Sequence, residues 1–201
     1  MIVREIIPIN TKKSKIVFDD GECFALYKGE IRRLDIEIGR EIGEEEYYTT
    51  IYPTLKKRAF ARLLHILEIS FKSENDIIKK LRLSFYPDEA IKEAIEKAVK
   101  FGYIDDERYT KRYVATYKDK YSKLKLKYKL IEKGINKEII ENALEEAYID
   151  ESPKIKRLLE KKHYFETDEF EKKQKIIASI MRQGYKYTEI KDIINDISTE
   201  I

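Results

Sequence analysis

The chain has 201 residues, of which 39% are charged and 42% hydrophobic, with only 7 glycines and 4 prolines. This composition excludes a disordered protein and favours long, charged helices over an all-β fold. No apolar run approaches the ~20 residues of a membrane helix, and the single cysteine, Cys23, excludes a disulfide framework and a cysteine-based zinc site. We therefore expect a cytoplasmic protein with no membrane partner and no cofactor.

The formal net charge of +3 is unevenly distributed along the chain. Residues 1–50 contain 8 basic and 11 acidic side chains, residues 51–135 contain 21 and 12, and residues 136–201 contain 12 and 15. The middle segment therefore has a net charge of +9, and each flanking segment has a net charge of −3. A polyanion would be attracted most strongly to the middle segment.

The first fifty residues differ in pattern from the rest and are predicted to form an N-terminal extension. The runs IVREIIPI, SKIVF and ECFALY are short and rich in β-branched or aromatic residues, which is typical of strands. The turn sequence Asp19-Asp20-Gly21 predicts a hairpin between the second and third strands. GEIRRLDIEIG then predicts a short helix that ends near Gly39, with helical spacing of Ile31, Leu34 and Ile38.

From about Glu44 onward the apolar spacing is helical, and the chain repeats itself. Residues 77–98 align without a gap with residues 126–147, and residues 176–194 form a weaker third copy. Each copy is predicted to be helix, turn, helix, with Gly134 in the second turn, and a longer helix precedes each copy, at about 54–70, 105–121 and 152–164. We therefore predict a mainly α protein in which three tandem three-helix repeats form an elongated array, with boundaries at 51–103, 104–149 and 150–201.

Residues 123–130, KLKLKYKL, alternate between lysine and apolar side chains, which is a strand pattern. They align with a segment of the first copy, NDIIKKL, whose spacing is that of an amphipathic helix. The alignment decides the prediction, and we expect a helix here.

The stretch FGYIDDERY, residues 101–109, places three carboxylates beside aromatic residues and has two interpretations. One is a metal-dependent enzyme, such as a nuclease, that uses the carboxylates of residues 105–107. The only histidines, His65 and His163, show no metal-ligand spacing with this cluster. The enzyme is therefore the weaker interpretation.

The other interpretation is a junction between repeats, and we favour it because YIDE, residues 148–151, repeats the pattern at the next boundary. Gly102 would end one helix, and Tyr103 and Ile104 would pack into the core. Asp105 and Asp106 would cap the next helix and complement its dipole.

The segment from Arg108 to Lys133 contains ten cations and only two carboxylates, Asp119 and Glu132. Phosphate groups would relieve the mutual repulsion of so many cations. The candidate contacts with a polyanion are Lys111, Arg112, Lys118, Lys120, Lys123, Lys125, Lys127 and Lys129. Tyrosines recur every four residues at 109, 113, 117 and 121, and this spacing favours a position at the edge of the core.

FGYIDDERYTKRYV, preceded by SENDIIKKL and followed by LIEKGINKEIIENALEE, resembles the RecX family of bacterial recombination regulators. The resemblance depends on the order and spacing of G-Y-[IL]-[DN]-D and L-x-x-K-G-I, and it covers roughly residues 56–197. The first copy departs from the pattern, because it has RLSFYP in place of the glycine-containing turn.

The resemblance implies tandem repeats of helix-turn-helix type and a regulator that is not an enzyme. The implied partner is the filament of the RecA recombinase, with single-stranded DNA contacted as part of that filament. The implied function is to modulate, mostly to inhibit, RecA ATPase and strand exchange in DNA recombination, repair and the SOS response. We expect a monomer, because the array needs no partner to fold.

The alternative function is that of a stand-alone helix-turn-helix protein that regulates transcription. No predicted helix collects the Arg, Asn and Gln side chains that read base edges, which disfavours this alternative.

Overall fold

The computed structural model describes residues 1–199 and is mainly helical, with one small antiparallel sheet near the N-terminus, as predicted. The chain divides into two units, residues 1–105 and the residues from Asp106 onward. Within residues 1–199, no helix is long and apolar enough to cross a membrane.

The N-terminal sheet has three strands in sequence order, with the second in the centre. They are β1 (Val3–Pro8), β2 (Lys13–Phe18) and β3 (Cys23–Tyr27). The predicted hairpin between β2 and β3 is confirmed, with Lys13 opposite Tyr27 and Val17 opposite Cys23.

Alternation along β2 turns Ile16 and Phe18 into the interior. They pack with Phe24 of β3 into a core that also contains Ile51 and Leu55 from the first helical segment. The sheet is therefore covered by the helices that follow it and does not form a separate domain.

The predicted helix over residues 29–39 is too long. Helix α1 spans Lys28–Arg33, and Asp35, with a φ of +52°, lies just beyond its end. The chain then returns to the sheet, where Gly39 N–H donates to the Val3 carbonyl (2.7 Å). Because this pairing replaces the helical hydrogen bonds, Ile38 lies at the surface, 68% exposed.

A helical segment from Glu44 leads into the first three-helix group. It consists of one turn, α2 (Glu44–Glu46), a π-helical turn (Tyr47–Ile51) and the long helix α3 (Tyr52–Ile69). Pro53 lies in the first turn of α3, directly after the π turn. A missing backbone N–H is tolerated there, and the wider turn before it gives the ring room.

Helices α4 (Glu74–Arg82) and α5 (Asp88–Lys100) complete the first group. Ser73 caps α4, because its side chain accepts a hydrogen bond from Asp76 N–H. The core of the group includes Leu63 of α3, Leu81 of α4 and Ile91 of α5.

The second unit contains two further groups of three helices. The first is α6 (Asp106–Tyr117), α7 (Lys123–Glu132) and α8 (Lys137–Glu146). The second is α9 (Ser152–Lys161), α10 (Phe170–Met181) and α11 (Tyr187–Thr199), with a 3-10 turn at Tyr164–Glu166. The segment KLKLKYKL is helical, as predicted, whereas α6 ends at Tyr117 and not at the expected residue 121.

Gly102 ends α5 through the hydrogen bonds of a Schellman motif. Its φ is +70°, its N–H donates to the Val99 carbonyl, and Tyr103 N–H donates to the Ala98 carbonyl, both at 2.9 Å. Ile104 is buried as predicted, but the prediction for Tyr103 is wrong. Its ring is half exposed beside Phe101, because the motif directs residue 103 outward and residue 104 inward.

The carboxylates of this stretch lie at a helix start. Asp105 directly precedes α6, and Asp106 is its first residue. At the next boundary Asp150 Oδ1 accepts a hydrogen bond from Ser152 N–H (2.9 Å), which lowers the pKa of Asp150. No three His, Cys, Asp or Glu side chains in residues 1–199 are grouped as metal ligands would be.

The turn between the second and third helix of each group contains one residue in the left-handed region. Gly134 (φ +78°) and Gly184 (φ +97°) occupy this position in the second unit, whereas Phe85 (φ +59°) occupies it in the first. The Phe85 carbonyl accepts a hydrogen bond from Ala25 N–H of β3 (3.1 Å). The first copy, with RLSFYP, thus lacks the turn glycine of the other copies at the point where its turn is hydrogen-bonded to the sheet.

Glu30 of α1 links the N-terminal extension to α3. Its Oε1 accepts hydrogen bonds from Arg58 Nε (2.9 Å) and Nη2 (2.8 Å), and its Oε2 accepts one from Tyr27 N–H (2.9 Å). The Glu30 side chain is only 11% exposed. The Arg58 guanidinium also lies 4.4 Å from the centroid of the Tyr27 ring.

We expect Glu30→Ala to lower the free energy of unfolding by about 2 kcal/mol, because it removes a charge-assisted pair and a helix cap together. Urea denaturation of the full chain measures the change. The matched control is Glu37→Ala, an exposed carboxylate nearby, for which we expect less than about 0.5 kcal/mol. Equal effects of the two substitutions would contradict this role of Glu30.

Candidate nucleic-acid interface

Helix α7 places its lysines on two sides of one core-facing edge. Leu126 and Leu130 are fully buried and fix the orientation of the helix. Because side chains four residues apart share a helix face, Lys125 and Lys129 lie on one side of this edge. Lys123 and Lys127 lie on the other side. The alternating sequence therefore produces two separate rows of cations.

The four tyrosines at 109, 113, 117 and 121 form a continuous row of ring contacts. Successive ring centroids are 6.1, 4.6 and 5.6 Å apart. Tyr109 is buried, and the other three are partly exposed. Burial raises the pKa of Tyr113, against the opposing effect of nearby Lys133. The row thus begins in the core and extends toward the surface.

Tyr121, at the exposed end of the row, is surrounded by ammonium groups. The Nζ atoms of Lys125, Lys129 and Lys120 lie 4.9, 5.5 and 5.6 Å from its ring centroid. These distances are within the range of cation–π attraction, which orients the flexible side chains. We call Tyr121 with Lys120, Lys125 and Lys129 the lysine–tyrosine face.

The remaining predicted cations are differently placed. Lys127 Nζ pairs with Glu141 (3.0 Å), and Lys111 Nζ pairs with Glu146 (2.8 Å), both on α8. The hydrogen bond from Lys127 lowers the pKa of Glu141. Arg112 and Lys123 have exposed side chains on α6 and α7. Of the predicted set, three lysines therefore belong to the lysine–tyrosine face, and Lys111 and Lys127 are neutralised by α8.

The turn between α6 and α7 is held by Lys154 of α9, which the sequence analysis did not identify. Lys154 Nζ donates hydrogen bonds to the carbonyls of Lys118 (2.8 Å) and Tyr121 (3.0 Å). Its side chain is 12% exposed, and burial lowers the pKa of Lys154. Lys118 thus contributes its backbone carbonyl to this turn.

The start of α7 is held by two further side chains. Glu151 Oε1 accepts a hydrogen bond from Lys123 N–H (2.6 Å). Ser122 Oγ accepts one from Lys125 N–H (3.2 Å) and donates one to the Gln183 carbonyl (2.7 Å). The bonds with Glu151 and Gln183 join residues 28 and 61 positions apart, so no local sequence pattern could reveal them.

The outward face of α7 is apolar. Leu124, Tyr128 and Ile131 are spaced for one helix face and are 44%, 59% and 46% exposed. The two rows of lysines lie on either side of them. We call these three residues the apolar stripe.

Charge alternates between the second and third helices of the three groups. The second helices α4, α7 and α10 have net charges of +1, +3 and +2. The third helices α5, α8 and α11 have net charges of −1, −3 and −2. The surface suited to a polyanion is therefore on the second helices.

Comparison with known proteins identifies the same region. The family model described as "RecX, second three-helix domain" matches residues 105–144. A protein named "Regulatory protein RecX" from Clostridium acetobutylicum is 32% identical over 184 residues, which cover 87% of this chain and 80% of the relative. Another of that name, from Caldanaerobacter subterraneus subsp. tengcongensis, is 30% identical and covers 97% and 99%.

Two solved structures have a similar fold. A crystal structure of "regulatory protein RecX" aligns with a TM-score of 0.65 over 95% of this chain and 98% of that chain, at 22% identity. The crystal structure of RecX from Lactobacillus salivarius aligns with a TM-score of 0.63 over 73% and 99%, at 24% identity.

We expect Gly184→Ala to destabilise the second unit for two reasons. Alanine would have to keep the left-handed backbone conformation of residue 184, and its Cβ would collide with Ser122 Oγ. The left-handed conformation alone costs about 1–2 kcal/mol, and the collision adds to it. Thermal unfolding of the full chain measures the loss.

A double-mutant cycle with Ser122→Ala isolates the collision. Ser122→Ala alone should cost about 1 kcal/mol through the lost cap. In the double variant the collision is absent, so the total loss should be smaller than the sum of the single losses. Additive losses would show that Ser122 and Gly184 do not interact in this way.

Proposed function

Because the chain belongs to the RecX family of regulatory proteins, we propose that it binds the filament of the RecA recombinase on single-stranded DNA and modulates it. The expected modulation is mostly inhibition of RecA ATPase and strand exchange, in the cytoplasm and without a cofactor. The observation on which the proposal depends is that α7 combines the lysine–tyrosine face with the apolar stripe.

The lysine–tyrosine face is suited to the phosphates of a single strand. Its three ammonium groups lie around one ring, and none of them forms an ion pair with a carboxylate in residues 1–199. Binding to phosphates would release the counterions of the strand and relieve the repulsion among these lysines. The partly exposed Tyr121 ring also offers aromatic surface that a base can contact.

The apolar stripe is suited to a protein surface. Exposed Leu124, Tyr128 and Ile131 together cost hydration free energy, which burial against a partner would recover. A nucleoprotein filament presents both kinds of surface side by side. The stripe next to two lysine rows therefore supports a filament as the partner, in preference to naked DNA.

The three basic second helices support contact with a polymer. Helices α4, α7 and α10 occur at regular intervals along the chain, and each has a net positive charge. Several weak contacts on one repeating partner gain affinity through effective concentration. We infer that successive repeats contact successive sites on the filament.

The acidic third helices argue against a stand-alone transcription regulator. In a helix-turn-helix protein the helix that enters the major groove passes between two phosphate backbones. Helix α8 has four glutamates and one lysine, so phosphates would repel it.

We expect the double substitution Lys125→Glu and Lys129→Glu to weaken inhibition of the single-stranded-DNA-dependent ATPase of RecA by about tenfold or more. The slope of log affinity against log salt should also fall by about 1.4, or ~0.7 for each lost phosphate contact on a single strand. The control is Lys156→Glu with Lys191→Glu, two exposed lysines of α9 and α11 with the same charge change. An unchanged salt slope in the test variant, or equal losses in both variants, would refute the DNA contact.

We expect Leu124→Ser with Ile131→Ser to weaken binding to the filament while binding to free single-stranded DNA and the salt slope stay unchanged. The reason is that the apolar stripe is assigned to the protein component, whose contact releases no counterions. Fluorescence anisotropy with labelled oligonucleotide, with and without RecA, measures both affinities. Parallel loss of both affinities would assign the stripe to DNA and contradict this division.

A further inference from the structure

A cleft of about 550 Å³ lies in the first unit, between the N-terminal sheet and the first three-helix group. One wall is the β1–β2 turn, residues 9–13, with Tyr27 at the end of β3. The other wall is Arg62 of α3 with residues 83–85 of the α4–α5 turn. The cleft therefore exists because the Phe85 turn is bonded to the sheet.

The charge lining this cleft is entirely positive. Lys12, Lys13 and Arg62 line it, and no carboxylate of residues 1–199 does. None of these three cations forms an ion pair within residues 1–199, whereas neighbouring Arg58 is neutralised by Glu30. An anion entering the cleft would meet three unneutralised cations, whose attractions add.

The Lys13 ammonium and the backbone of the β1–β2 turn are held in place before any ligand arrives. Lys13 Nζ lies 4.6 Å from the ring centroid of Tyr27 and 5.6 Å from that of Tyr86. Asn10 Oδ1 accepts hydrogen bonds from the N–H groups of Lys12 and Lys13, both at 2.9 Å. The Lys12 carbonyl accepts another from Lys28 N–H (2.9 Å). Less side-chain and loop entropy is then lost on binding.

The size and remaining lining of the cleft indicate more than an inorganic anion. A volume of about 550 Å³ is within the ~300–1,000 Å³ of sites for small organic ligands. Ile9, Leu83 and Phe85 supply apolar surface, and Ser84 supplies a polar group. Such a combination suits a phosphate attached to a sugar and a planar base.

We propose that this cleft binds one nucleotide unit, with its phosphate on Lys12, Lys13 and Arg62. The unit comes either from a free nucleotide or from a single-stranded nucleic acid. This site lies in the other unit of the chain from α7 and is independent of the function proposed above.

The test variant combines Lys12→Glu and Arg62→Glu, two surface cations of the cleft. The matched control combines Arg4→Glu and Lys57→Glu, exposed cations of the same unit that do not line it. Both pairs are introduced into full-length protein that already contains Lys125→Glu and Lys129→Glu, which removes the contribution of α7. Equal melting temperatures of the two proteins establish that both are folded.

The probes are thymidine 5′-monophosphate, a fluorescein-labelled dT12 strand and inorganic phosphate. Amide shifts of Ser84 and Phe85 report nucleotide binding, and anisotropy reports strand binding. We expect the test variant to bind dT12 about tenfold more weakly than the control, with a salt slope lower by about 1. No RecA is present, so failure here leaves the function proposed for α7 intact.

Two outcomes support the site and identify whether its ligand is a free nucleotide or part of a strand. If the test variant loses affinity for both thymidine monophosphate and dT12, a single nucleotide unit is sufficient for binding. If it loses affinity for dT12 alone, a strand is required. Equal binding by the test and control variants overturns the proposal. The proposal is also overturned if the affinity for inorganic phosphate equals that for the nucleotide. It is overturned as well if the parent protein binds none of the probes.

Discussion

One largely buried ammonium group holds the turn on which the candidate interface depends. Lys154 Nζ bonds the carbonyls of Lys118 and Tyr121, at the point where the chain leaves α6 and enters α7. Desolvation lowers the pKa of Lys154, and the two carbonyls with nearby Glu151 compensate for the lost hydration of its charge. Because this turn is fixed, the Tyr121 ring lies beside α7, and Lys125 and Lys129 can gather around it.

Neutralisation within the fold decides which cations remain for a partner. Glutamates of α8 pair with Lys111 and Lys127, which strengthens packing within the three-helix group and removes two charges from the surface. In the described part of the chain, residues 1–199, no carboxylate pairs with the lysines of the lysine–tyrosine face or with the cleft cations Lys12, Lys13 and Arg62. Uneven neutralisation therefore turns a modest net charge of +3 into local basic surfaces in each unit.

Much of the fold could be predicted from the sequence, because it follows from local periodicity. The hairpin, the helices of the repeats and the helical state of KLKLKYKL were all indicated by spacing or by internal alignment. The errors at Ile38 and Tyr103 arose where backbone hydrogen bonds outweighed apolar periodicity, at the return to the sheet and in the Schellman motif. The candidate site was predicted only as a set of seven lysines and Arg112 near a row of tyrosines. Its division into paired and unpaired members depends on α8, and its fixed geometry depends on Lys154, Glu151 and the Gln183 carbonyl, which are distant in sequence.

The proposed function requires the lysine–tyrosine face to contact the RecA filament on single-stranded DNA. Acetylation footprinting tests it most directly, because it measures the reactivity of each lysine of the unmodified protein, free and bound to the filament. We expect Lys120, Lys125 and Lys129 to become protected while Lys156 and Lys191 keep their reactivity. Unchanged reactivity at Lys125 and Lys129 in the bound protein would contradict it.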